Sequence, residues 1–156
     1  MPDLKARFIA ELGKRRILSI ATLRPDGWPQ ATIVGYVNDG TTIYFGISRE
    51  SQKYANLAAD PRVSICVGED VTDPMAITGA SMAATVAEVT DRAERDRALA
   101  LLMVRYPEYA PLQDSFDSSG MCFMRARPFI ASVLTYEQGF GHTDMVQLDD
   151  APPVTA

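Results

Sequence analysis

The chain has 156 residues, of which 47% are hydrophobic and 22% charged, and this composition predicts one globular domain over residues 1–156 rather than a disordered chain. Its 15 basic and 20 acidic residues give a net charge of −5, which argues against a general nucleic-acid binder and against electrostatic attachment to an anionic membrane. No apolar run approaches the roughly 18 residues of a membrane helix, and no apolar signal core follows the N-terminal charges. We therefore expect a cytoplasmic protein.

The first third of the chain predicts a helix followed by an antiparallel meander. Asp3 can cap a helix over 3–14, in which apolar residues recur at helical spacing. Turn residues at 24–29 and the hairpin signal Asn38-Asp39-Gly40 then separate three apolar segments. The predicted strands cover 17–23, 30–37 and 42–47.

The remainder predicts further strands and two helices. A short helix follows Ser51 and ends before Asp60-Pro61, because a residue before proline leaves the helical region. Six or seven strands without regular alternation of strand and helix indicate an antiparallel barrel. The other predicted elements are a strand over 62–67, a long strand over 75–90 interrupted at Gly79, a helix over 91–106, a loop over 107–119, strands over 121–127 and 129–136 meeting at Pro128, and a flexible tail over about 145–156.

The two cysteines and the single histidine bear on catalysis and metal binding. Cys66 and Cys122 lie far apart in apolar, strand-like segments, which predicts buried, reduced thiols. One histidine and two cysteines show none of the paired spacings of zinc sites, so we expect no metal site. A nucleophile pair of Cys122 and His142 stays open as an alternative.

The segment Ser48–Lys53 carries the clearest functional signal. It ends a predicted strand and opens a helix, whose N-terminal N–H groups and partial positive charge favour an anion. Ser51 supplies a hydroxyl, Gln52 a neutral donor, and Arg49 and Lys53 two cations, which together suit a phosphate monoester. The alternative is that Ser51 only caps a surface helix and the two basic side chains are solvated.

An ordered set of short motifs occupies about 17–67. The motifs are Ile20-Ala21-Thr22-Leu23, Asp26-Gly27-Trp28-Pro29-Gln30, Asp39-Gly40, Ile43-Tyr44-Phe45, Ser51-Gln52-Lys53, Asn56-Leu57 and Asp60-Pro61-Arg62-Val63-Ser64. No single motif is specific, but their order and spacing resemble those of the flavin-binding split barrels related to pyridoxamine 5′-phosphate oxidase. The resemblance continues more weakly to about residue 136.

The resemblance implies a mostly β fold with short helices, a six-stranded antiparallel split barrel that forms a homodimer. It implies an oxidoreductase with FMN at the dimer interface, transferring hydride between the flavin and an unidentified small substrate. The flavin ring would lie along the second strand, and the start of the following helix would hold the phosphate. The residues that the resemblance assigns to the cofactor are Thr32, Ile33, Val34, Gly35, Ile47, Ser48, Ser51, Gln52 and Lys53.

The sequence departs from the oxidase at several positions. Gln52 stands where the oxidase has arginine before its lysine, and Ala31 or Thr32 stands where it has an arginine on the second strand. Arg49 is therefore a further cofactor-binding candidate that could compensate. The C-terminal segment that binds pyridoxal phosphate in the oxidase has no counterpart, which argues against pyridoxamine phosphate as substrate. The alternatives are an F420-dependent reductase of the same fold and a non-catalytic flavin- or haem-binding module.

The segment Gly139–Asp144 and the side chain of Trp28 each allow two interpretations. His142, in the segment Gly139–Asp144, is the only catalytic candidate, because its flexible glycine-rich loop could approach a flavin or substrate. The same segment could be a plain surface turn. Trp28 could cover the flavin from a neighbouring subunit, or it could plug an end of the barrel.

Overall fold

The computed structural model describes residues 3–118 and 120–151. Within these ranges lie four α-helices and eight β-strands, with short 3₁₀ turns at Pro74–Ala76, Pro107–Leu112 and Tyr136–Gln138. The helices are α1 (Leu4–Gly13), α2 (Gln52–Ala59), α3 (Arg92–Arg105) and α4 (Gln113–Ser118). The strands are β1 (Ile17–Leu23), β2 (Pro29–Gly35), β3 (Val37–Asp39), β4 (Thr42–Ser48), β5 (Arg62–Gly68), β6 (Thr78–Glu88), β7 (Met121–Thr135) and β8 (Thr143–Gln147).

One antiparallel sheet contains all eight strands, in the order β2-β1-β5-β6-β7-β4-β3, with β8 also paired to β7. The sheet curls so that β2 approaches β4 without pairing to it. This is a split barrel, and the predicted fold class is confirmed. The sheet has eight strands rather than six, because Tyr36 separates β3 from β2 and because residues 143–147 form β8.

The last strand pair of the prediction is one continuous strand. β7 runs from Met121 to Thr135 through Pro128, where we had predicted a break. The register shifts at this point, between Ala83 and Ala84 of the facing strand. β7 also exchanges neighbours here, from β4 along 121–126 to β8 along 130–134. The missing N–H of proline therefore falls in the gap between two partners, where it interrupts no ladder.

Gly79 does not interrupt β6, contrary to prediction. It lies within the strand and pairs with Gly68 and Leu134. A Cβ atom at this position would stand 2.6 Å from the carbonyl oxygen of Val67. The glycine therefore permits a close approach of two backbones rather than a bend.

The main core lies inside the barrel, and α1 packs against it. Phe8 and Leu12 of α1 are fully buried against the inward side chains of the strands. The hydroxyl of Tyr36 donates to the carbonyl of Leu12 at 2.6 Å, and burial raises the pKa of this tyrosine to about 12. Tyr44 and Phe45 are buried, as predicted. A second cluster lies under α3.

The tail is more ordered than predicted. Residues 145–147 belong to β8, and the N–H groups of Leu148 and Asp149 both donate to the carbonyl of Phe129. Residues 152–156 of the predicted flexible tail lie outside the described residues. The predicted loop 107–119 contains a 3₁₀ turn and α4. None of the helices in the described ranges is long and apolar enough to span a bilayer.

Candidate cofactor site

The junction of β4 and α2 has free backbone donors. Ser51 caps α2: its hydroxyl accepts from the N–H of Tyr54 at 3.2 Å and donates to the carbonyl of Ser48 at 2.7 Å. The N–H groups of Gln52 and Lys53, the next two residues, have no acceptor among the described residues. Two free N–H groups at the positive end of a helix favour an anion. The Ser51 hydroxyl itself is already engaged on both sides.

Lys53 is the unpaired cation of this junction. Its side chain is half-buried, and it makes no hydrogen bond or ion pair with any residue in 3–118 or 120–151. Burial lowers the pKa of its ammonium group, because the charged form has lost part of its hydration. An anion placed here would replace that lost hydration. Lys53 is therefore the side chain best suited to bind a phosphate.

Arg49, in contrast, is already paired. Its guanidinium donates to the carboxylate of Glu88, and also to the carbonyl of Met121 at 3.3 Å. The hydroxyl of Tyr54 donates to the other oxygen of Glu88 at 2.8 Å. The structure thus brings Arg49 to the start of α2, as predicted, but with a carboxylate partner that the sequence did not reveal.

Gln52 is exposed, but its side chain joins an amide network centred on the buried Asn56. Its side-chain nitrogen donates to Asn56 at 2.9 Å, and Asn56 donates to Thr22 at 3.0 Å and to Gln30 at 3.1 Å. Asn56 is 0% exposed. It joins α2 to β1 and β2 and so fixes the helix against the predicted flavin strand. Sequence analysis gave it no role, although an asparagine beside the core residue Leu57 is a signal of a buried polar contact.

The predicted flavin strand, β2, lies at the edge of the sheet and pairs only with β1. The bond from the N–H of Tyr36 to the carbonyl of Arg16 sets the phase of the ladder. Because bonded positions alternate along an antiparallel strand, the backbone groups of Ala31, Ile33 and Gly35 point to the open edge. They are available to the polar edge of a planar ring.

The side chains of β2 divide between two faces. Thr32 and Val34 point inward, and Ile33 is 70% exposed on the outer face. The hydroxyl oxygen of Thr32 is buried, and no residue in the described ranges hydrogen-bonds to it. A buried hydroxyl without a partner is costly and indicates a missing ligand or water.

The outer face of the sheet carries no charged side chain over two complete rows of six strands. Register places Ile33, Ser19, Cys66, Ser81, Ser132 and Met145 in one row, and Ala31, Ala21, Ser64, Ala83, Ile130 and Gln147 in the next. A hollow of about 320 Å³ lies over these rows, and one of about 660 Å³ adjoins it. We call these two rows the uncharged face. Cys66 stands near its centre and is exposed, contrary to the prediction of a buried thiol.

His142 lies far from α2 within one chain. Ser48 pairs with Met121 at one end of the 15-residue strand β7, and Thr143 pairs with Leu134 near the other end. The separation along the strand is on the order of 40 Å at about 3.3 Å per residue. His142 contacts Asp144 at 3.1 Å, and Asp144 in turn contacts Arg7 at 3.4 Å.

The open alternative of a Cys122–His142 pair is wrong. Cys122 is buried beside Ile47, near the opposite end of β7, and burial raises the pKa of its thiol. Trp28 is 70% exposed, so it does not plug the barrel. Among the described residues there is no group of three or more metal-ligating side chains.

Comparison with known proteins agrees with this architecture. A family profile described as pyridoxamine 5′-phosphate oxidase matches residues 4–129. The chain belongs to this family. The match covers α1, the site at α2 and β2, and β7 as far as Phe129. No curated protein matches the sequence.

Several solved structures share the split-barrel fold of this pyridoxamine 5′-phosphate oxidase family member. A conserved hypothetical protein of Mycobacterium tuberculosis is 23% identical, with a TM-score of 0.75 over 88% of this chain and 87% of that one. The haem storage protein HutZ of Vibrio cholerae is 21% identical, with a TM-score of 0.66 over 81% and 89%. An FAD-binding protein of Mesorhizobium loti is 21% identical, with a TM-score of 0.66 over 85% and 94%. At this level of identity the likeness concerns the fold.

Proposed function

We propose that the protein is an FMN-dependent oxidoreductase that acts on a small molecule. The observation that supports this most is the unpaired, half-buried Lys53 beside two free backbone N–H groups at the start of α2. A phosphate monoester provides the dianion that these donors lack. The partnerless hydroxyl of Thr32 and the open edge of β2 lie on the strand along which the ring is expected.

In this proposal each group of residues has one task. Lys53 and the N–H groups of Gln52 and Lys53 bind the phosphate, and Asn56 keeps α2 in register with β2 through Gln30. The backbone groups of Ala31, Ile33 and Gly35 would contact the polar edge of the ring, and the partnerless hydroxyl of Thr32 would supply a further hydrogen bond. FMN, once bound, supplies the hydride chemistry at its N5 atom.

The first test is the absorbance spectrum of the purified protein and of the supernatant after denaturation. Bands near roughly 375 and 450 nm, released as free FMN, would support the proposal. A single band near roughly 420 nm would replace FMN by a deazaflavin such as F420 or by haem, which fluorescence separates. A colourless protein that takes up no added FMN would overturn the proposal.

We further propose a homodimer with the cofactor at its interface. The uncharged face has no charge of either sign, so two copies can meet there without like-charge repulsion, although the chain as a whole carries −5. Six strands about 4.8 Å apart, with two rows about 7 Å apart along them, cover roughly 400 Å², so a stable dimer with roughly 800 Å² per partner also buries the surface around these rows. Ile33 of β2 lies at the edge of this face, next to the cofactor site.

The dimer predicts a specific cross-link. In a twofold contact the residue at the centre of the patch lies opposite its own copy. Since Cys122 is buried, Cys66 is the one exposed thiol of the two. A short bifunctional maleimide is therefore expected to join two wild-type chains on a denaturing gel, and Cys66→Ser is expected to abolish this product. A wild-type protein that sediments as a monomer with FMN bound would contradict the dimer.

His142 has a catalytic role in this proposal only across the dimer. Its loop and α2 of the same chain lie at opposite ends of β7. The exposed ring of Phe140 packs on Tyr136 at 4.9 Å in the same loop and gives it a fixed apolar tip. The assignment of His142 stays a prediction.

A further inference from the structure

A hydrogen-bonded cluster of Arg49, Tyr54 and Glu88 borders the proposed phosphate site, and the roles proposed above do not use its carboxylate. Glu88, the last residue of β6, accepts from the guanidinium of Arg49 and from the hydroxyl of Tyr54 at 2.8 Å. Tyr54 is the third residue of α2. The cluster therefore packs directly against the first turn of α2, where the free N–H groups of the proposed phosphate site lie.

The charges at this junction do not match those of the proposed ligand. The segment Ser48–Lys53 has two cations, Arg49 and Lys53, and Glu88 neutralises the first of them. A phosphate monoester carries about −1.5 to −2 charges near neutral pH. One free cation, Lys53, therefore faces a dianion, and the carboxylate of Glu88 stands close by.

Glu88 is ionised under ordinary conditions. Partial burial opposes its ionisation, but the hydrogen bonds from Tyr54 and Arg49 outweigh that effect and hold the pKa of Glu88 below its usual value. The Arg49 side chain is half exposed, so it can change its conformation without disturbing the packing of the core. Both partners of the ion pair are therefore charged, and the Arg49 side chain has space to move away from Glu88.

We propose that Glu88 is an internal competitor for Arg49 and sets the affinity and charge preference of the phosphate site. It holds Arg49 away from the ligand and adds a repulsion that acts on a dianion more strongly than on a neutral molecule. This inference rests on the proposed function, because it assigns a specificity-determining residue to the same site. It predicts that the wild-type protein gains less affinity from the phosphate of FMN, relative to riboflavin, than a variant without the Glu88 charge gains.

Glu88→Gln tests the proposal, because the amide keeps the size of the side chain and an acceptor for Tyr54 while it removes the charge. Dissociation constants for FMN and riboflavin are measured by quenching of flavin fluorescence at one low ionic strength. FMN is expected to bind about fivefold or more tightly to the variant, with riboflavin changed by less than about twofold. Arg49→Ala alone is expected to weaken FMN binding by clearly less than tenfold, because it removes the partner of Glu88 but no contact to the ligand, and it is expected to abolish the gain in the double variant.

Asp70→Asn is the matched control. Asp70 is an exposed carboxylate that follows β5 at the end of the sheet opposite Glu88, so its loss changes the net charge equally and is expected to leave FMN affinity unchanged. Unaltered FMN affinity in folded Glu88→Gln would overturn the proposal, as would a tenfold loss in Arg49→Ala alone. If neither flavin binds to any variant, the proposed function itself fails and this inference with it.

Discussion

Lys53→Ala is expected to weaken FMN binding at least about tenfold, which corresponds to about 1.4 kcal/mol or more of binding free energy. Lys53 is the cation of the site without a carboxylate partner in the described ranges, so no other side chain shares its task. Alanine is a good helix former, so α2 itself is not weakened. The measurement is a fluorescence titration with FMN, supported by thermal unfolding to verify that the variant is folded.

Two comparisons separate a phosphate contact from a general charge effect. Lys5→Ala removes an equal charge from the exposed surface of α1 and is expected to leave the affinity unchanged. Riboflavin, which lacks the phosphate, is expected to bind wild type and Lys53→Ala alike. Equal affinities of the two proteins for FMN would remove Lys53 from the site.

Asn56→Ala is expected to lower the free energy of unfolding by about 2–4 kcal/mol, because it leaves Thr22 and Gln30 without a buried partner. The loss also frees α2 from β2, so FMN affinity is expected to fall although Asn56 does not face the ligand. Chemical denaturation gives the first quantity, and flavin titration of the folded fraction gives the second.

Thr22→Val is the matching variant for the network. It keeps the volume of the buried side chain and removes one acceptor of Asn56, so a smaller loss of about 1–2 kcal/mol is expected. Because the two residues share one hydrogen bond, the double variant should lose less than the sum of the single losses. If the losses of unfolding free energy are strictly additive, Asn56 and Thr22 do not stabilise the protein through a shared hydrogen bond.

Local sequence patterns were sufficient for most of the fold. Turn residues and alternating apolar residues placed β1 at its observed bounds and β4 and β5 to within one residue, and Asp3 and Ser51 cap their helices as predicted. The breaks predicted at Pro128 and Gly79 are wrong. A proline is tolerated in a strand where no neighbouring strand needs its N–H, and a glycine is tolerated where the neighbouring backbone comes very close. Such information lies in the pairing of distant strands and not in local sequence.

The candidate site was predictable only in part for the same reason. The order of Ser51, Gln52 and Lys53 at a helix start is visible in sequence. Glu88, by contrast, reaches Arg49 from 39 positions away, and Asn56 reaches Thr22 from 34. The exposure of Cys66 likewise depends on which face of the sheet the barrel turns inward. Only the tertiary structure shows these partners.

β7 has a mechanical consequence for the whole molecule. It is paired on both sides along most of its length, to β6 along 124–135 and to β4 along 121–126 and then β8 along 130–134 on the other side. Removing β7 from the sheet would break ladders to three strands at once, so β4, β6 and β8 belong with it to one cooperative unit, whereas β2 pairs only with β1. The junction at α2 follows β4, so it lies next to a strand that β7 holds in the sheet.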